Sequence, residues 1–244
     1  MAFDAVHILE VKSTFAGREM LLHPVLLVDP DGATLVDTGM PGQFELLRAA
    51  IERVVGSLER VRRILLTHQD IDHIGNAARV KEASGATVSA HAADIPYIQG
   101  ERPLLKANPE RLRAMLASAP EEVRRQMEAV FSAPPAVHVD TALEDGQVLP
   151  IAGGLTVVAT PGHTPGHISL YLPRERLLIS ADALTVQEGV VRGPNPTNTP
   201  DTRAAAASVR KLAGLAVDAV VAYHGGLCTQ DSGAQLRALA QELA

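Results

Sequence analysis

The sequence predicts an α/β chain with a two-layered β core and helices outside it. Two observations carry this. In each half of the 244 residues, apolar strand-like runs are followed by a segment of helical period. In each half, too, a polar cluster follows directly on a strand. No Pro- or Ser-rich linker separates the halves, and no fixed-period repeat occurs. One domain is therefore expected over residues 1–244. Hydrophobic residues make up 46% of the chain, enough for a sizeable core. Aromatics are few (Phe 4, Tyr 3, no Trp), so that core must be built mainly from Ala, Leu and Val.

The elements follow in order. Residues 6–11 and 21–28 are β-rich runs joined by a turn near Gly17. Asp29-Pro30-Asp31-Gly32 is a strong turn, and residues 33–37 form the returning hairpin arm. Thr38-Gly39-Met40-Pro41-Gly42 breaks the pattern. Phe44, Leu47, Ile51 and Val54 then recur at helical spacing, with a stop at Gly56. A short strand at 61–66 runs into Thr67-His68-Gln69-Asp70-Ile71-Asp72-His73-Ile74-Gly75. A helix at 76–83, a turn at Gly85 and a strand at 87–90 come next. Residues 92–133 change character: they are Arg/Glu-rich and helical, with no strand signal. Leu112, Met115 and Leu116 form one stripe; Val123, Met127, Val130 and Phe131 form another. Ser118-Ala119-Pro120-Glu121 is a helix start between them. The segment reads either as two packing helices or as an insertion covering a pocket mouth. Strands are expected at 155–159, 168–172 and 177–180, a Pro/Asn loop at 193–200 and a helix at 201–212. A strand at 218–222 and a helix at 233–243 complete the chain.

Composition narrows the function. The net charge is −6, which disfavours a nucleic-acid-binding surface. No apolar run reaches the ~18 residues of a membrane span. The start carries an acid where a signal peptide wants basic charge, so a cytoplasmic location is expected. One cysteine, Cys228, stands against nine histidines. That excludes a disulfide framework or a multi-Cys metal site within the chain, and any bound metal must use His and carboxylates.

Residues of metal-ligand type collect after strands in four places: His68-x-Asp70-x-Asp72-His73, Pro161-Gly162-His163-Thr164-Pro165-Gly166-His167, Ser180-Ala181-Asp182-Ala183 and Ala222-Tyr223-His224-Gly225-Gly226. Imidazole and carboxylate are the donors a borderline divalent ion takes. Four His and three Asp are too many for one four-coordinate ion and suit two ions sharing a carboxylate. In an extended turn positions 68, 70 and 72 point one way and His73 another, so this one short segment is expected to serve two ions. Two ions roughly 3.5–4 Å apart can share a nucleophile and clamp a developing oxyanion.

The four clusters in this order resemble the metallo-β-lactamase superfamily. Its first motif is His-x-His-x-Asp-His after a strand, followed by a Gly-His loop, an Asp and a final His. Val36-Asp37-Thr38-Gly39 is similar to the family's early strand end. The resemblance runs from about Leu35 to His224 and implies a four-layered αββα sandwich. It also implies two divalent ions, zinc first, with iron or manganese as alternatives. One would be held by His68, His163 and Asp182, with Asp70 at the second-His position. The other would be held by Asp72, His73, His224 and the bridging Asp182. Asp72 is also the candidate catalytic carboxylate. The shared hydroxide would attack a substrate carbonyl.

Asp70 departs from the family pattern. A carboxylate is harder than imidazole and tilts the first site towards iron or manganese, or weakens its hold on zinc. Flavodiiron relatives also place a carboxylate there. A nearly empty first site, and an Asp70 that only hydrogen-bonds a ligand, are both open. His167 is read as packing behind the site and orienting a ligand. His7, His23, His91 and His138 have no ligand-type neighbours. Cys228 reads as a small core residue, and Tyr223 as turned away from the site.

The leading expectation is a hydrolase of an ester, thioester or lactone. Segment 92–133 would shape an acyl pocket around its Leu and Met residues. The alternative is a non-hydrolytic iron enzyme, diiron redox or sulfur dioxygenase, favoured by Asp70. Only 20 residues follow His224, so neither a flavodoxin domain nor a glutathione-holding helical domain is expected after it. A phosphodiester nuclease would need a stacking platform that seven Phe and Tyr residues do not suggest. The expected partner is a small-molecule substrate, without nucleic acid or membrane, and a homodimer is compatible with the sequence.

Overall fold

A computed structural model of the chain describes residues 4–15, 17–106, 117 and 119–243. The first sheet is built from β1 (Val6–Ile8), β4 (Val25–Asp29), β5 (Gly32–Val36), β6 (Val61–Leu66), β7 (Thr87–His91) and β8 (Thr141–Leu143), in that order. The β1–β4 and β4–β5 pairs are antiparallel; β5, β6, β7 and β8 run parallel. The hairpin of β2 (Val11–Phe15) and β3 (Arg18–Leu22) stands apart. The second sheet contains β9 (Val148–Leu149), β10 (Leu155–Ala159), β11 (Ile168–Leu172), β12 (Leu177–Ala181), β15 (Ala219–Ala222) and β16 (Gly226–Cys228). Its order is β16-β15-β12-β11-β10-β9. A separate hairpin, β13 (Thr185–Gln187) and β14 (Val190–Arg192), flanks it.

The layers follow from period-2 side-chain alternation. In β6, Leu65 faces the second sheet while Ile64 and Leu66 face outward. In β12, Leu177 and Ile179 face inward and Leu178 outward. One apolar layer thus lies between the sheets, joining Val25, Leu27 and Leu65 to Val157, Ile168 and Leu170. Helices cover both outer faces. α1 (Phe44–Val55) and α3 (Ala77–Ser84) pack on the first sheet through Phe44, Leu47, Ile51, Ala77 and Val80. The last two long helices, Thr202–Ala213 and Ser232–Glu242, pack on the second through Val209, Leu212 and Leu236. Central strands buried on both faces read as continuous apolar runs, which is why β11 and β12 stand out in the sequence. The result is the αββα sandwich implied by the resemblance.

The first apolar runs are shorter than the sequence suggests. The run 21–28 is cut at His23-Pro24, because Pro24 has no N–H to give a ladder. Strands β8, β9, β13, β14 and β16 are two to three residues long, too short to show a period. In the 92–133 segment, α4 (Ile95–Ile98) and α5 (Glu121–Ser132) are helical. Met127 is buried, and Val123 and Val130 are half-buried. Leu112, Met115, Leu116, Ser118 and the side chain of Phe131 lie outside the described residues.

Candidate metal centre

The four ligand-type clusters meet at one edge of the sandwich. His68 to His73 follow β6, His163 lies in the β10–β11 loop, Asp182 follows β12 and His224 follows β15. They form two groups, His68, Asp70, His163 and Asp182 in one, Asp72, His73 and His224 in the other. Asp182 links them. Its Oδ2 is 3.3 Å from His163 Nε2 and 3.5 Å from His224 Nε2, and its Oδ1 is 3.4 Å from His73 Nε2. Asp70 Oδ2 lies 3.0 Å from His163 Nε2 and 3.3 Å from His68 Nε2. Asp72 Oδ2 lies 3.3 Å from His224 Nε2 and 3.7 Å from His73 Nε2.

The local backbone explains the grouping and corrects one expectation. Asp72 does not point with His68 and Asp70. The chain is extended at Asp70 (φ −66°, ψ 147°) and then turns helical as α2 (Ile71–Ile74). That turn rotates Asp72 out of the alternation and places it with His73. Asp182 is aimed by a break in the β12–β15 register between Ile179 and Ala181, with Ala181 at φ 47°. A bulge of this kind re-aims the next side chain.

Hydrogen bonds behind the imidazoles turn Nε2 of three of them towards the site. Asp37 Oδ2 accepts from Thr67 Oγ1 at 2.8 Å and from His73 Nδ1 at 2.8 Å. Having donated its proton to Asp37, the Thr67 hydroxyl accepts from His68 Nδ1 at 3.0 Å. Thr199 Oγ1 donates to Asn195 O and accepts from His163 Nδ1 at 3.4 Å. His167 differs: Asp182 N donates to its Nε2 at 3.1 Å, and its Nδ1 bonds Thr160 Oγ1 at 2.8 Å. Both its nitrogens are engaged, so it holds the Asp182 backbone rather than facing the site.

The electrostatics separate the groups. Burial, reinforced by His73, lowers the pKa of His68. Burial opposes charge on His73 as well, but the carboxylates of Asp37, Asp72 and Asp182 outweigh it and raise its pKa well above the usual imidazole range. For His224, burial is outweighed by Asp182 and Asp72, and the pKa reaches about 10. Burial likewise works against ionised Asp70 and Asp182. Neighbouring imidazoles nonetheless hold both well below the usual carboxylate range, helped at Asp70 by Lys106.

A test of fit comes from unmet polar atoms. His68 Nε2, His73 Nε2 and Asp182 Oδ1 are among the seven buried side-chain atoms of the described residues that no well-aligned hydrogen bond satisfies, and the last two face each other at 3.4 Å. Leaving such atoms unpaired costs roughly 1–3 kcal/mol each. All three belong to the two groups just described, and imidazole with carboxylate is a donor set that suits a divalent cation. The residues fit a metal.

Four further residues build the site without having drawn notice as its parts. Asp37 was legible only as a strand end. Asp94 is fully buried and accepts from Gln69 N, Gln69 Nε2, Thr164 Oγ1 and Gly166 N at 2.6–3.1 Å. It ties the His68 loop to the His163 loop. A Cβ on Gly166 would sit 2.6 Å from Asp94 N, so that approach requires glycine. Gln69 also accepts from Leu105 N at 2.9 Å. Lys106 reaches into the first group, onto Asp70 Oδ2 and His163 Nε2. No sequence pattern marks Asp94, Gln69 or Lys106. Tyr223 packs its ring 3.9 Å from that of His73, accepts from Gly39 N and donates to Asp72 O. Cys228 is buried, and His23 bonds Tyr223 O behind the site.

Beside the site lies a cleft of about 620 Å³. Its wall comes from the β13–β14 hairpin and the Pro/Asn loop, with Gln187, Arg192, Asn195 and Asn198 among its polar residues and His163, Asp182 and His224 at its base. The described part of 92–133 does not line it.

Fold and site together define a metallo-β-lactamase-fold chain with a candidate centre for divalent metal. The Metallo-beta-lactamase superfamily model matches residues 22–224, and the chain belongs to that family. It is similar to the probable metallo-hydrolase YflN of Bacillus subtilis, at 32% identity over 208 residues, covering 81% of this chain and 76% of that one. It is similar also to the hydroxyacylglutathione hydrolase GloC of Haemophilus influenzae, at 28% identity, covering 82% of this chain and 84% of that one. Among solved structures it resembles the metallo-beta-lactamase family protein TTHA1429 of Thermus thermophilus. That match has a TM-score of 0.72 and 27% identity, covering 98% of this chain and 78% of that one.

Proposed function

We propose that this chain is a dinuclear metal-dependent hydrolase that cleaves an ester, thioester or lactone of a small molecule. The observation that carries this is the set of three buried, unpaired ligand atoms, His68 Nε2, His73 Nε2 and Asp182 Oδ1. His68, Asp70, His163 and Asp182 would hold one ion; Asp72, His73, His224 and Asp182 the other. Bound there, divalent ions, zinc first, supply Lewis-acid polarisation of a carbonyl and an activated water.

The remaining work falls to the chain. Asp37, Thr67 and Thr199 keep Nε2 of His73, His68 and His163 directed inward. Asp72 would be the carboxylate that accepts the proton of the attacking water and passes it to the leaving oxygen or sulfur. The cleft beside His224 holds the acyl compound, and its volume suits a small-molecule ligand. Arg192 gives that wall a positive charge, which favours a substrate with a polar or anionic end. Similarity to a hydroxyacylglutathione hydrolase supports the acyl-transfer class. Among the described residues, no helix is long and apolar enough to cross a membrane.

The test is elemental analysis of the purified protein. A panel of lactone, thioester, ester and phosphodiester substrates follows, with the metal found restored. Turnover of the first three without the phosphodiester supports the reading. A second reading, a non-hydrolytic iron enzyme, draws on Asp70, whose carboxylate lies among the first group of ligands. Iron content with oxygen uptake and no hydrolysis would favour it.

A further inference from the structure

The first ligand group contains a cation of the chain's own. Lys106 Nζ sits between Asp70 Oδ2 and His163 Nε2, donating to the second at 2.5 Å. Its side chain is 17% exposed. The segment that carries it is anchored: Leu104 is buried, and Leu105 N donates to Gln69 Oε1, whose amide nitrogen donates to buried Asp94. Gln69 adjoins Asp70, so one buried side chain sets both Asp70 and the backbone next to Lys106.

Charge explains the pairing. An aspartate at position 70, where the family's motif has a histidine, adds a negative charge to a group that already holds Asp182. Lys106 supplies one positive charge in compensation. The lone pair matters as much. His163 Nδ1–H donates to Thr199 Oγ1, so His163 Nε2 has one lone pair facing the site. Lys106 uses that lone pair, and a metal would need the same one. The two cannot hold it together. No equivalent ammonium touches Asp72, His73 or His224 among the described residues.

We propose that Lys106 is a tethered cation of the first ligand group, displaced when that group takes a metal, so that the two groups fill in order. The Asp72–His73–His224 group fills first and tightly. The His68–Asp70–His163 group fills second and weakly, at the expense of the Lys106 contacts. The inference rests on the proposed metal centre and deepens it.

The test is a zinc titration of the metal-free full chain against a chelating dye, with bound zinc counted by elemental analysis after gel filtration. The wild type should take one equivalent tightly and the second at least tenfold more weakly. Lys106→Met should strengthen the second equivalent at least tenfold and leave the first within about twofold. Lys106→Gln serves as a second variant, with circular dichroism confirming that each is folded. Two equal equivalents in the wild type, or a second equivalent indifferent to both substitutions, would overturn the role of Lys106 and leave the metal centre standing. No zinc bound by any of the three proteins would overturn both.

Discussion

The two ligand groups are each backed by one buried aspartate, and the two aspartates work differently. Asp37, behind the second group, accepts a hydrogen bond directly from the imidazole of His73. Asp94, behind the first, touches no ligand ring. It gathers donors from Gln69, Thr164 and Gly166 and so fixes the loops that carry His68, Asp70 and His163. Asp37 acts directly on the charge of a ligand and, through Thr67, on the setting of His68; Asp94 acts on loop geometry alone. A buried carboxylate beside a metal site is thus not one kind of feature. Its partners decide whether its loss reads out in affinity or in stability.

That contrast can be broken at several points. The largest effect expected is at Asp94. Asp94→Ala leaves two backbone N–H groups, an amide and a hydroxyl without their acceptor, and should cost about 3–5 kcal/mol. Chemical denaturation would show it with or without metal. A loss below about 1 kcal/mol would mean that the loops hold without their hub.

Asp37→Asn should act the other way round. It keeps the shape, removes the charge behind His73 and should lower metal affinity about 10–100-fold with a smaller loss of stability. Thr199→Val removes a neutral acceptor 3.4 Å from His163, and with it a donor to Asn195 O, and should cost a few-fold in affinity at most. Metal titrations of the two variants side by side measure the difference. Equal losses would erase the distinction between the groups.

A further expected effect is a pH dependence of the metal-free protein. Burial opposes a charged His224, but Asp182 and Asp72 outweigh it and raise its pKa to about 10. An unfolded histidine titrates near 6.5. The raised value contributes stability that is complete below about pH 6.5 and fades as pH rises through about 10. With chelator present, Tm should therefore fall across that window, and His224→Ala should flatten the fall. With metal bound the proton has left His224, so metal affinity should rise with pH instead.

The sandwich was legible because its central strands are buried on both faces and its helices on one. β11 and β12 read as apolar runs, and α1 shows Phe44, Leu47 and Ile51 at helical spacing. The ligands were legible because each follows such a strand. Less visible was anything set by a single hydrogen bond across the fold. Asp94 lies 25 residues from Gln69 and 70 from Thr164, and nothing local at 94 announces either partner. The placement of Asp72 depended on where an extended segment becomes helical, and α2 is only four residues long. The 185–192 hairpin has strands too short for periodicity, so the cleft wall had no signal ahead of the structure.

Asp182 joins the two groups, and the account stands on it. Asp182→Ala, measured for zinc content and for hydrolysis of the preferred acyl substrate, tests it most directly. The expected result is a folded protein with less than one equivalent of metal and hydrolysis at background. A variant that keeps the wild-type metal content and its activity would contradict the assignment of Asp182 as the shared ligand.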